Sequence, residues 1–127
     1  MDGKKTTIAL DTNMLLNIKR FNADVFAQAK SLLGACEFVV PEQVVFELEK
    51  MALRGMKLRK EVSVARELMA KNHVKVVKSD FSSADEALKK LAITAIVATN
   101  DKALKDSVKE LGGKVLHLRQ RKYLEFA

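Results

Sequence analysis

Short apolar runs and longer amphipathic stretches alternate along this 127-residue chain. The first run, TTIAL at 6–10, is β-branched and too short for a helix, so it predicts a strand. Residues 13–35, NMLLNIKRFNADVFAQAKSLLGA, carry apolar side chains at helical spacing, best between Ala23 and Leu33, and LGA closes them. CEFVV at 36–40 predicts a second strand, and Pro41 then suits the first turn of a helix. That helix, 41–53, sets Val44, Val45, Leu48, Met51 and Ala52 on one face and is broken by Gly55. LRKEVSVARELMAKN at 58–72 predicts another, with Val62, Ala65, Leu68 and Met69 inward. VKVVK (74–78) is strand three, and SSADEALKKLA (82–92) opens with serines and two acids, as a helix N-terminus should. TAIVAT (94–99) is strand four, DKALKDSVKELGG (101–113) a helix ended by glycines, and KVLHL (114–118) strand five. A basic tail, RQRKYLEFA, runs from about residue 119.

Strands separated by helices imply parallel pairing through right-handed crossovers. The near-continuous apolar runs IVA and FVV fit a sheet covered on both faces, a three-layer α/β/α sandwich. The length predicts one domain over 1–127, large enough to hold a core without disulfides. Cys36 is the single cysteine and reads as a small core hydrophobe; no Cys/His cluster has zinc spacing. No apolar run approaches the roughly 18 residues of a bilayer span. The N-terminal run is too short for a secretory signal, so a cytoplasmic protein without a membrane partner is expected. Lys plus Arg is 23 against 16 for Asp plus Glu, and the resulting +7 points to a polyanionic partner, nucleic acid first.

Two strands run straight into an aspartate: IALDTN at 8–13 and IVATND at 96–101. In open α/β sheets ligands bind beyond the carboxyl ends of the strands, where strand order reverses. If strands one and four are neighbours there, Asp11 and Asp101 meet. Such a pair repels, and a proton or a cation relieves the repulsion. Oxygen-only ligation favours Mg²⁺ or Mn²⁺, which polarises a phosphate and lowers the pKa of a bound water. Glu47, three residues after Val44, shares the core-facing side of its helix, where an acid needs a partner. Asp85 and Glu86 open the helix before strand four. Each acid alone has a plainer explanation: Asp11 and Asp101 as caps, Glu47 as a helix-surface acid, Asp85 and Glu86 as complements to a helix dipole. Thr12, Asn13, Thr99 and Asn100 flank the acids and either orient ligands or cap helices. Arg54, Lys57, Arg59 and Lys60 form one basic stretch, and Arg119, Arg121, Lys122 and Tyr123 another. Either binds phosphates, with Tyr123 able to stack on a base, or is a solvated surface. His73 and His117 read as structural.

LDTNMLL (10–16), VVFELEKM (44–51), ADEAL (84–88) and IVATND (96–101), in this order and spacing, resemble the PIN domain family over nearly the whole chain. ELEKM, IVATND and LHLRQRKYLE are most similar to single-domain, Fcf1-like PIN endoribonucleases of ribosome biogenesis. VapC-type toxins usually read more like DALIAATA in the third motif. The resemblance implies a five-stranded parallel sheet of order 3-2-1-4-5. It also implies Mg²⁺- or Mn²⁺-dependent endoribonuclease cleavage of single-stranded or structured RNA, with rRNA processing as one setting. Carried over by motif, Asp11 is the first acid, Glu47 the second and Asp101 the fourth. The third falls at Glu86, with Asp85 one step earlier, and Asp11, Glu47, Glu86 and Asp101 become the metal ligands. The chain departs from the pattern here: its third acid is a Glu or shifted by one, and EALKKLAITAIVATN is shorter than usual. Implied partners are RNA, a second copy of the chain, and a ribosome-assembly or antitoxin protein. Two other readings stay open, a VapC-type toxin ribonuclease and a catalytically weak PIN-fold module that binds RNA or protein. A phosphate-accepting regulatory domain, with Asp80 near the end of strand three, leaves Glu47 and the charge unexplained.

Overall fold

In the computed structural model, which describes residues 4–127, alternation of strand and helix builds one twisted sheet between two helical layers. Its strands are β1 (Thr6–Leu10), β2 (Cys36–Pro41), β3 (Lys75–Val77), β4 (Ile96–Ala98), β5 (Val115–Arg119) and β6 (Tyr123–Phe126). The order is β3-β2-β1-β4-β5-β6, parallel from β3 to β5, with β6 antiparallel to β5. The strand order 3-2-1-4-5 therefore holds, and β1 and β4 are neighbours. The expected five-stranded, all-parallel sheet is corrected to six strands, because the C-terminal residues fold back along β5 instead of trailing as a tail.

The helices are α1 (Thr12–Arg20), α2 (Val25–Leu33), α3 (Glu42–Ala52), α4 (Met56–Lys71), α5 (Ala84–Leu91) and α6 (Lys102–Glu110). Alternation along the central strands assigns the layers. Ile8 and Leu10 of β1 and Phe38 and Val40 of β2 face one side, where α1 to α4 pack. Ala9 and Val39 face the other, against Leu88 of α5 and Leu104 and Val108 of α6. Phe26 meets Phe38 edge-to-face with ring centroids 4.7 Å apart, tying α2 to the sheet.

The single helical stretch expected over 13–35 is two helices. Asn22 adopts a left-handed backbone (φ 52°), and Asp24 restarts the chain as N-cap of α2 by accepting from the Ala27 amide. Pro41 ends β2 and precedes α3, one residue short of the helical first turn expected for it. Gly112 (φ 84°) ends the turn after α6, and Gly113 then lies so close to Val108 that an added Cβ would stand 2.7 Å from its Cγ1. Among the described residues no helix is long and apolar enough to cross a membrane.

Candidate active site

The register of β1 against β4 pairs Leu10 with Ala98, so the next residues, Asp11 and Thr99, emerge side by side. Asp11 keeps the sheet bond through its amide to Ala98 O (3.2 Å) and then starts α1 as its N-cap, Oδ1 accepting from the Met14 amide at 2.7 Å. Thr99, fully buried, donates its hydroxyl to Asp11 Oδ2. The same Thr99 oxygen accepts from the Asp101 amide at 3.0 Å. Asp101 in turn caps α6, Oδ1 accepting from the Leu104 amide at 2.8 Å. The two aspartates are thus caps and neighbours at once, and one threonine couples them.

Two further acids reach the same place from other elements. Thr12 donates its hydroxyl to Glu47 Oε1, joining the start of α1 to the second turn of α3. Glu47 is exposed to the cavity and does not face the core, as its spacing from Val44 suggested. Asp85 sits in the first turn of α5, behind the cap made by Ser83. The loop before α5 is pinned by α3: Ser79 donates its amide to Glu42 (3.0 Å), and Gln43 Nε2 donates to Ser79 Oγ (2.7 Å) and Phe81 O (2.6 Å).

Asp11, Glu47, Asp85 and Asp101 line one cavity of about 410 Å³, together with Thr12 and Asn13. Lys50, three residues after Glu47 on α3, and Arg54, in the turn that follows the helix, line it too. Sequence reasoning passed over Lys50, although its spacing from Glu47 (i+3) and Arg54 was there to be read. Burial raises Asp11's pKa to about 6; hydrogen bonds from Thr99 and Met14 oppose the rise, and the charges of Asp101 and Asp85 add to it. A buried carboxyl repelled by two others is the electrostatic setting that a cation relieves.

Other expected site residues lie elsewhere. Glu86 is corrected: it is outside the cavity, exposed and paired with Lys89 at 3.4 Å, and Asp85 is the carboxylate that enters. A step of one residue turns a helix by about 100°, which carries Glu86 away from the side on which Asp85 enters the cavity. Asn100 does not border the ligand space; its amide exchanges two hydrogen bonds with Leu118 of β5 (3.0 and 2.8 Å), acting as an extra strand residue. Arg119 pairs with Glu125 at 3.6 Å, Arg121 lies over the Phe21 ring at 5.2 Å, and Lys122 occupies the β5–β6 turn. Tyr123 is exposed opposite Arg119. His117 sits between Lys105 and Glu125, away from the acids.

The donors fit a hard divalent ion in part. All are oxygens, which suits Mg²⁺ or Mn²⁺. Among the described residues, however, no three Asp, Glu, His or Cys side chains converge tightly enough to ligate one ion directly. Mg²⁺ keeps several waters and is held by only one or two carboxylates, so this looser arrangement suits it.

Residues 8–121 match the family described as PIN like domain. Ribonuclease VapC9 of Archaeoglobus fulgidus is 33% identical over 125 residues, covering 95% of this chain and 89% of its own length. Ribonuclease VapC4 of Methanocaldococcus jannaschii is 32% identical over 124 residues, covering 93% and 94%. Among solved structures, the PIN domain endonuclease Utp24 superposes with a TM-score of 0.75 at 21% identity, over 95% of this chain and 92% of that one. A domain of a functionally unknown protein from M. jannaschii gives 0.63 at 21% identity, over 90% and 91%. Those two structures share the fold; the two ribonucleases are identical to this chain at about a third of positions over nearly its full length.

Proposed function

The chain belongs to the PIN-like domain family, and we propose that it is a ribonuclease that hydrolyses phosphodiester bonds of single-stranded RNA with a divalent cation held among Asp11, Asp101, Asp85 and Glu47. The observation that carries this reading is the meeting of these four carboxylates, from four elements, in one cavity that also holds Lys50 and Arg54. Bound there, Mg²⁺ or Mn²⁺ supplies charge stabilisation to the phosphoryl group and acidifies a water. The chain's own residues do the rest. Thr99 and the Met14 amide hold the Asp11 carboxylate, and Thr12 holds Glu47. Lys50 and Arg54 receive the phosphates beside the scissile one. With a water as the nucleophile in place of the RNA 2′-hydroxyl, the products carry 5′-phosphate and 3′-hydroxyl ends.

Cleavage of 5′-labelled single-stranded RNA by wild type and Asp11→Asn, with Mn²⁺, Mg²⁺ or EDTA, tests this directly. Cutting should need metal and vanish in the variant. RNA binding without cutting points instead to a binding module, and cutting that survives EDTA removes the metal from the account.

The relatives named VapC favour a toxin-type ribonuclease, with a small antitoxin protein as partner, over an enzyme of rRNA processing. The ribosome-biogenesis reading rests on motif resemblance alone. Under the toxin reading, wild-type expression arrests growth, Asp11→Asn expression does not, and undisturbed growth with the active protein removes it. A homodimer belongs to the same proposal and is measured by sedimentation.

A further inference from the structure

A second groove, of about 520 Å³, lies between the C-terminal end of α1 and the N-terminal end of α4, lined by Lys19, Arg20, Met56, Lys57, Lys60 and Glu61. Its one acid, Glu61, is 3% exposed and bound by Arg20 at 2.8 Å, so this pair is neutral. Lys19, Lys57 and Lys60 remain, exposed and without hydrogen-bond or ion-pair partners among the described residues. Three unpaired ammonium groups around one groove repel each other, and a polyanion relieves that repulsion.

The groove adjoins the carboxylate cavity along two paths. Asn13 lines the cavity and Lys19 the groove, so they lie at opposite ends of α1, about 9 Å apart at 1.5 Å per residue. Arg54 lines the cavity and Met56 the groove, with only Gly55 between them. The edge between the two carries Leu53, 84% exposed, and Met56, 66% exposed, apolar surfaces against which bases can lie. A ligand that fills both spaces carries regularly spaced negative charge and apolar faces. That is a single-stranded nucleic acid rather than a lone phosphate. The other lysine-lined cavity, with Lys5, Lys30 and Lys71, gathers at the C-terminal ends of α2 and α4, where Lys30 and Lys71 complement the helix dipoles without any ligand.

We infer that the RNA strand on one side of the scissile phosphate crosses the α3–α4 turn past Lys50 and Arg54 and lies in this groove, its phosphates held by Lys19, Lys57 and Lys60. The inference takes its substrate from the ribonuclease reading above but is tested by binding, not by cutting.

The test is fluorescence anisotropy of metal-free protein with a labelled single-stranded oligonucleotide, over a salt series. Loss of three phosphate contacts lowers the slope of log K against log salt by about 2, at about 0.7 per contact. The variant Lys19→Gln/Lys57→Gln/Lys60→Gln should show that drop and bind more weakly. The charge-matched variant Lys5→Gln/Lys30→Gln/Lys71→Gln should keep the wild-type slope. Equal drops in both variants, or none in the first, overturn the inference. Loss of binding to an acidic peptide, with RNA binding unmoved, overturns it in favour of a protein-docking groove. Failure of the ribonuclease reading looks different: no protein cuts RNA under any metal, while the slopes still differ.

Discussion

Asp11 is at once a helix cap and the most perturbed carboxyl of the cavity. Its pKa in the folded chain is about 6 against an ordinary 3.8, chiefly because it is buried. A carboxyl raised on folding binds its proton more tightly in the native state, so native stability is greatest below the unfolded value. As pH rises from about 4 through 6 that stability is lost, and it stays lost above. The shift corresponds to at most about 3 kcal/mol. Asp11→Asn keeps an oxygen for the Met14 amide and has no charge to bury. In EDTA at pH 8 the variant should therefore be more stable than wild type, and its urea midpoint should vary less between pH 4 and 7. A variant no more stable than wild type at high pH would show that Asp11 is not strained by its site. The neighbouring acids test the geometry. Asp85→Asn should cut cleavage at least by the roughly 10–100-fold that loss of a supporting metal partner costs. Glu86→Gln should leave cleavage near wild type, since Glu86 faces Lys89 and solvent. Equal losses would place both acids in the site. Motif resemblance set the third acid at Glu86 with Asp85 one step earlier, and the structure turns Asp85 into the cavity, because a motif fixes the segment but not the rotation at which its helix docks.

At the scale of elements, what could be read was set by whether an element has two unlike faces. α3 and α4 each bury one face and were visible as apolar stripes, whereas α5 and α6 were marked by the residues at their ends. α1 was not separated from α2, because Met14, Leu15, Leu16 and Ile18 are all buried and leave it no apolar stripe. The break was marked only by Asn22 and Asp24, residue types that tolerate a left-handed turn and cap a helix. β6 was missed for a related reason. Of its residues only Leu124 is buried, and the turn before it lacks the Asn-Gly or Asp-Gly pair that signals a tight hairpin. Gln120 (φ 54°) and Arg121 (φ 59°) instead both adopt the left-handed conformation, closed by the Lys122 amide to Arg119 O at 3.0 Å. That conformation costs an ordinary L-residue roughly 1–2 kcal/mol, and asparagine tolerates it better. Gln120→Asn should then stabilise the protein by about 0.5–1 kcal/mol, read as a higher denaturant midpoint at unchanged slope. A lower midpoint would mean that β6 is not held by this turn.

For the molecule as a whole, the net charge of +7 and the acidic cavity act on the same ligand from different distances. Basic surface raises the local concentration of a polyanion, whereas the cavity repels it until its carboxylates are neutralised. That opposition was legible early: two strands ending in aspartate within a basic chain. The adjacency of β1 and β4 was legible only through resemblance, since periodicity identifies strands but not their order. The opposition also makes metal binding a property of the entire fold, because the carboxylates converge only when β1, α3, α5 and the end of β4 are assembled. A cation that binds the folded chain and not the unfolded one adds about 2.7 kcal/mol at a hundred times its dissociation constant. For a chain of this length, Mn²⁺ should then raise the melting temperature by roughly 10 °C. The increment should shrink below pH 6, as protons compete for Asp11. It should disappear in Asp11→Asn and persist in Lys19→Gln/Lys57→Gln/Lys60→Gln, which leaves every carboxylate in place. An increment that survives in Asp11→Asn would put the ion elsewhere on the molecule. Its absence from wild type at saturating Mn²⁺ would leave the four acids without a cation, and the hydrolytic reading without its electrophile.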